Sequence, residues 1–112
     1  MRRVVITGAG TINALANDVD GTYKAFREGR CGIGPLDIRD VDRLSVKIGA
    51  QVRGFDETRY FDRQQITLYD RFTQFAMIAA QQAMRQSGLD IRDEFADRAG
   101  VVLGTSGGGL RT

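Results

Sequence analysis

The stretch ITLYDRFTQFAMIAAQQAMRQSG, residues 66–88, carries apolar side chains at Tyr69, Phe72, Ala76, Ala79, Ala80, Ala83 and Met84. That spacing is helical over several turns, and Gly88 supplies a C-terminal stop. The small residues Ala76, Ala79, Ala80 and Ala83 let another element approach closely. The pattern predicts a long helix over 66–87, central to its fold and well covered by neighbours.

Two candidate strands lie on either side of this helix in sequence. VVIT (4–7) is β-branched and bounded by Gly8; AGVVLG (99–104) is similarly apolar and glycine-bounded. Each reads as a buried strand. Asn17 or Asp18 can cap a helix carrying Val19, Tyr23 and Phe26 on one face, with Gly29 as its stop. Residues 29–44 hold several glycines and the only proline, which predicts a loop. SVKIGAQV (45–52) alternates weakly, as an exposed strand does. One helical turn is expected within 53–65, and a short helix at RDEFAD (92–97). So few strands rarely bury both sheet faces unaided. The expectation is an α/β chain that is incomplete on its own, with residues 1–112 forming one portion of a domain and no separate second domain.

Composition excludes several functions. The chain of 112 residues has sixteen basic and fourteen acidic residues, a net charge of +2 and no histidine. A Cys–His or Ser–His–Asp site, or a Cys/His zinc site, therefore cannot be built from it alone. The bases are dispersed rather than clustered, which argues against nucleic acid. No stretch approaches the ~20 apolar residues of a membrane span, and no signal-peptide pattern follows Met1-Arg2-Arg3. The single cysteine, Cys31, has no internal disulfide partner, which fits a reducing compartment. It reads as a small, semi-buried residue.

Two glycine loops invite a phosphate-binding interpretation. GAGTIN (8–13) begins like the dinucleotide fingerprint but has Asn13 where the third glycine belongs. Ile12 and Ala14 replace the glycines of the short-chain dehydrogenase pattern, and no Gly-Lys-Ser/Thr is present. The competing interpretation is that Gly8 and Gly10 permit unusual φ or close packing after a strand. GTSGGGL (104–110) has three glycines in a row, which lose much chain entropy on ordering. It is either a flexible tip or a backbone passing close to a ligand or partner chain. Periodicity does not choose between these.

Taken together, RRVVITGAG (2–10), YDRFTQFAMIAAQQAMRQSGL (69–89) and RAGVVLGTSGGGL (98–110) resemble, in order and spacing, the elongating β-ketoacyl-acyl-carrier-protein synthases. FREGRCGIGPL (26–36) is similar to the segment after that family's first helix, while 37–65 matches weakly. The resemblance implies the N-terminal portion of a thiolase-like layered α/β/α/β/α fold. It implies decarboxylative Claisen condensation of an acyl thioester with malonyl-acyl-carrier protein, without a cofactor, in a cytoplasmic homodimer. The family's Cys–His–His residues fall beyond residue 112, and Cys31 does not correspond to that nucleophile. The chain alone should therefore be catalytically silent. The resemblance places Gly107, Gly108 and Gly109 beside the acyl pocket, with Gly107 where the family often has a bulky apolar gate. Arg63 falls in the family's basic carrier-docking cluster, although Gln64, Thr67 and Leu68 occupy other positions of it. Arg59 and Arg71 are candidates to compensate. A solvated arginine accounts for Arg63 equally well. Ala14 and Ala16 replace the family's usual proline and glycine. Two rival functions stay open: a non-catalytic partner that sets chain length or assembly, and a nucleotide-binding module.

Overall fold

The computed structural model describes residues 1–109. Helix α1 (Val19–Arg27) is followed by an antiparallel pair, β1 (Ile33–Pro35) and β2 (Ile48–Ala50). Helices α2 (Arg63–Leu68) and α3 (Arg71–Ser87) come next. Three 3₁₀ segments complete the order: Val41–Arg43, Glu57–Arg59 and Asp93–Arg98.

Helix ends obey local chemistry. Asp18, not Asn17, caps α1: its Oδ1 accepts the Gly21 N–H at 2.6 Å. Gly29, just past the end, takes φ 65°, and Gly88 does the same after α3. Ala25 is the buried residue of α1, whereas Tyr23 and Phe26 are exposed. The small side chain, not the aromatic pair, faces inward.

The expected helix over 66–87 is two helices. Tyr69 is extended at φ −102°, ψ 122°, and Asp70 at ψ 154° starts α3 afresh. Apolar spacing carries across this break, which is why it is invisible to periodicity. An aromatic contact accompanies the turn. Tyr69 meets Phe61 edge-on, with ring centroids 6.1 Å apart, and Phe61 is buried. Upstream, the Asp62 carboxylate accepts the Gln65 N–H at 2.8 Å while Gln65 Oε1 accepts the Asp62 N–H at 3.0 Å, a reciprocal cap that starts α2.

The hairpin also departs from expectation. Part of the predicted loop 29–44 is strand β1, with Gly34 opposite Gly49 and Pro35 opposite Ile48. Only the centre of the expected strand 45–52 is paired, as β2. The Gln51 side chain extends the pairing by bonding both backbone groups of Asp37 at 2.9 Å. The short helix expected at 92–97 is present as a 3₁₀ segment over Asp93–Arg98.

The larger correction concerns residues 4–7 and 99–104. Neither segment is a strand here, and both are exposed: Val4 at 95%, Ile6 at 91% and Val102 at 99%. A strand needs a neighbour for its ladder, and β1–β2 is the only pairing among the described residues. Burial is correspondingly sparse, comprising Ala25, Phe61, Ile78 and Gln74. The Cα radius of gyration is 17.1 Å, against about 13 Å for a compact chain of this size. Covering of α3 is one-sided, since Ile78 is buried while Ala76 and Ala80 stay exposed. No described helix is long and apolar enough to cross a membrane.

Candidate functional site: two glycine segments on the long helix

The first glycine segment lies directly on α3. A Cβ added to Gly10 would fall inside the Ala79 carbonyl oxygen and 2.8 Å from Gln82 Cβ. One added to Gly8 would overlap the Ala83 carbonyl oxygen in the same way. Between these contacts the helix reaches out with two glutamines. Ala9 N–H donates to Gln86 Oε1 at 2.7 Å, and Thr11 N–H to Gln82 Oε1 at 3.0 Å. Gln82 Nε2 also donates to the Asn17 carbonyl at 2.6 Å. Residues 79, 82, 83 and 86 share one helix face. The glycines are therefore there for close approach.

This arrangement argues against the phosphate-cradle interpretation, because two of the N–H groups such a cradle would present, those of Ala9 and Thr11, are bonded to α3. Asn13, which spoils the fingerprint, organises the turn. Its Oδ1 accepts the N–H groups of Leu15 and Ala16 at 2.8 and 3.2 Å. Its Nδ2 donates to Thr11 Oγ1 and to Thr22 Oγ1 at 3.1 and 2.8 Å, tying the turn to α1.

The second glycine segment approaches the opposite end of α3. Gly107 lies in an exposed bend. Gly108 is left-handed at φ 60°, and its N–H donates to Thr105 Oγ1 at 3.0 Å. Gly109 faces Asp70 and Phe72: a Cβ there would overlap the Asp70 carboxylate and come within 2.8 Å of Phe72 Cε1. The loop is thus seated against the first turn of α3.

Arg63 is the first residue of α2, exposed and without an ion pair among the described residues. It lines a shallow hollow with Gln64, Thr67 and Leu68. The two arginines expected to compensate for the missing bases are otherwise engaged. Arg59 Nε pairs with Asp56 at 3.5 Å. Arg71 lies over the rings of Phe55 and Phe75 at 5.5 and 5.6 Å. Hydrogen bonds from the Thr58 side chain and backbone, with the Arg59 charge, hold the Asp56 carboxyl below its ordinary value. Cys31 is exposed rather than semi-buried, its sulfur accepting the Ile33 N–H at 3.4 Å.

Periodicity missed Asp70, Gln82 and Gln86. The two glutamines did carry a signal: polar residues four apart, flanked by Ala79 and Ala83 on one face. Those alanines leave room for a backbone, and the amides supply its partners.

A family model described as "Beta-ketoacyl synthase, N-terminal domain" matches residues 1–112. The chain belongs to the β-ketoacyl synthase family. Among its relatives, a 3-oxoacyl-[acyl-carrier-protein] synthase 2 from Synechocystis sp. is 39% identical over 110 residues, covering 98% of this chain and 26% of the relative. A nodulation protein E from Rhizobium sp. is 41% identical over 108 residues, covering 96% of this chain and 27% of the relative. A solved structure described as the ishigamide ketosynthase/chain length factor superposes with a TM-score of 0.70 at 29% identity, covering 80% of this chain and 22% of that one. The chain spans about a quarter of the length of the curated relatives it matches. The resemblance to elongating β-ketoacyl synthases therefore holds across the weak middle, 37–65, as well as the three motifs. The mixed helix–strand content is that of a ketosynthase-like segment.

Proposed function

We propose that the whole protein is a 3-oxoacyl-acyl-carrier-protein synthase of fatty acid biosynthesis, to which residues 1–112 contribute scaffold and part of the acyl-pocket wall. The observation that carries this reading is the near-complete match to relatives of that name, at 39% identity over 98% of this chain in the Synechocystis case. In the reaction, a cysteine thiolate takes the acyl group from a carrier-protein thioester, releasing the carrier thiol. The malonyl thioester loses CO₂, and the electron pair of the broken C–C bond attacks the acyl-enzyme carbonyl. The cysteine leaves as thiolate, and the 3-oxoacyl thioester remains on the carrier.

The cysteine and two histidines belong to the rest of the protein, since this chain has no histidine. The finer architecture that accompanies this reading is the layered α/β/α/β/α thiolase fold, with residues 1–112 as its N-terminal portion and no separate second domain. The working form is a homodimer in the cytoplasm, meeting acyl- and malonyl-carrier protein. Gly107, Gly108 and Gly109 border the acyl pocket, and Arg63 meets the acidic carrier surface.

The test is to supply the whole protein with acyl- and malonyl-carrier protein and to follow CO₂ release and 3-oxoacyl product. Formation of both is expected. A folded whole protein that holds the Cys–His–His set yet forms neither would refute the reading. A second reading, a non-catalytic chain-length partner, is favoured by the superposed neighbour, whose description names a chain length factor. Absence of the catalytic cysteine and histidines from the whole protein would select it.

A further inference from the structure

We infer that Gly109 and the first turn of α3 form a steric seat that positions the glycine-rich loop, making Asp70 and Phe72 positioning residues for the acyl-pocket wall. This inference rests on the reading of that loop as the pocket wall.

Three observations carry it. First, Asp70 stands at the N-cap of α3, yet its side chain makes no capping hydrogen bond. A carboxylate at that position ordinarily accepts an N–H from the first turn. Here Gly109 lies against it instead. Second, a Cβ on Gly109 would overlap the Asp70 carboxylate, reaching 2.9 Å from its Cγ and 2.8 Å from Phe72 Cε1. Both walls of the seat thus come from the same helical turn. Third, the neighbouring glycine serves a different purpose. Gly108 is left-handed at φ 60° with open space around it, so it is glycine for backbone conformation. Gly109 has no such φ and is glycine for space. A side chain at 109 therefore acts through contact with α3, without backbone strain.

The bend at Gly107 is two residues from the seat, and a fixed seat at 109 holds that bend at a fixed distance from α3. Filling the seat forces the Asp70 carboxylate and Phe72 ring edge, or the loop itself, to move. Removing the Asp70 carboxylate leaves the loop held on one side only.

The experiment uses the whole protein with Cys31→Ser, nitroxide labels at Ser106 and Gln81, and electron paramagnetic resonance distances between them. Both label sites are exposed. Gly109→Ala is expected to alter the distance distribution. Asp70→Ala alone is expected to broaden it, and the double variant to return part of the way toward the parent. Where Gly109→Ala does not fold, the broadening in Asp70→Ala decides. Distributions unchanged in the folded single variants overturn the inference. Acyl products are read on the same samples. A loop that moves, with elongation of the longest acyl thioester falling by up to roughly 100-fold, supports both the seat and the pocket-wall reading. A loop that moves while the product profile stays constant supports the seat and refutes the pocket-wall reading.

Discussion

Gly10→Ala tests the packing of the N-terminal segment on α3. The added Cβ would overlap the Ala79 carbonyl oxygen and lie 2.8 Å from both the Ala79 carbonyl carbon and Gln82 Cβ. A helix carbonyl is held by its own hydrogen-bond ladder and does not rotate away as a flexible side chain would. Residues 8–11 must therefore lift from the helix. Lifting breaks the bonds from Ala9 to Gln86 and from Thr11 to Gln82, at about 0.5–1.5 kcal/mol each. Holding the segment in place instead incurs an overpacking cost of about 1–3 kcal/mol. Either route predicts a loss of about 1–3 kcal/mol. Denaturant unfolding of the whole protein measures that loss, and amide hydrogen exchange at Ala9 and Thr11 locates it. Gly100→Ala is the control, because a Cβ at Gly100 meets nothing within 4 Å. If Gly10→Ala and Gly100→Ala unfold alike and the Ala9 and Thr11 amides stay equally protected, the close-packing argument is wrong.

Gln82→Met keeps the side-chain volume but removes the bonds to Thr11 and Asn17; a loss of about 1–3 kcal/mol is expected by denaturant unfolding, and an unchanged midpoint would count against the clamp. Gly107→Ile in the whole enzyme should shorten the preferred acyl chain, read from the product distribution, and an unaltered profile would remove Gly107 from the pocket. Arg63→Glu should weaken carrier-protein binding and flatten its dependence on salt; equal affinity and equal salt slope would mark Arg63 as a solvated residue. Asp56 is held below its ordinary pKa by Thr58 and Arg59, so its contribution is present above the unfolded-state value and lost as pH falls through the folded one. Protection of the Thr58 amide should therefore decline on acidification, and a pH-independent amide would show that the carboxylate does not hold the turn.

Local chemistry was legible in residues that act on their immediate neighbours. Asp18, Gly29 and Gly88 each mark a helix end because a cap or a left-handed residue is chosen within one turn. Asp62 and Gln65 carry an equally local signal, an acid followed three residues later by an amide, which apolar counting passes over. Tyr69 and Asp70 show where periodicity fails. Apolar spacing continues through them, while the chain turns where Tyr69 meets Phe61, eight residues upstream. Residues 4–7 and 99–104 fail differently. Their β-branched character describes what a sheet would accept, but a ladder is made with a neighbour, and the described residues provide none.

The same distinction separates the three glycine positions that matter. Gly108 is intelligible on its own, since its left-handed φ is a property of one residue. Gly10 is intelligible only with Ala79 and Gln82, about seventy residues away, because what it avoids is the Ala79 carbonyl and the Gln82 Cβ. Gly109 likewise depends on Asp70 and Phe72, although what it meets there is side chain rather than backbone. Two segments distant in sequence thus converge on α3, one along its Ala79–Gln86 face and one at its first turn. Each meets the helix through glycine, where the absence of a side chain sets the approach distance. A change in the position of α3 would consequently be transmitted to both segments, and a substitution at Asp70 should disturb the glycine-rich loop while leaving the Ala9 and Thr11 amides protected. Simultaneous loss of protection at both ends would mean that α3 shifts as a rigid body, and the two contacts could then no longer be treated as independent seats.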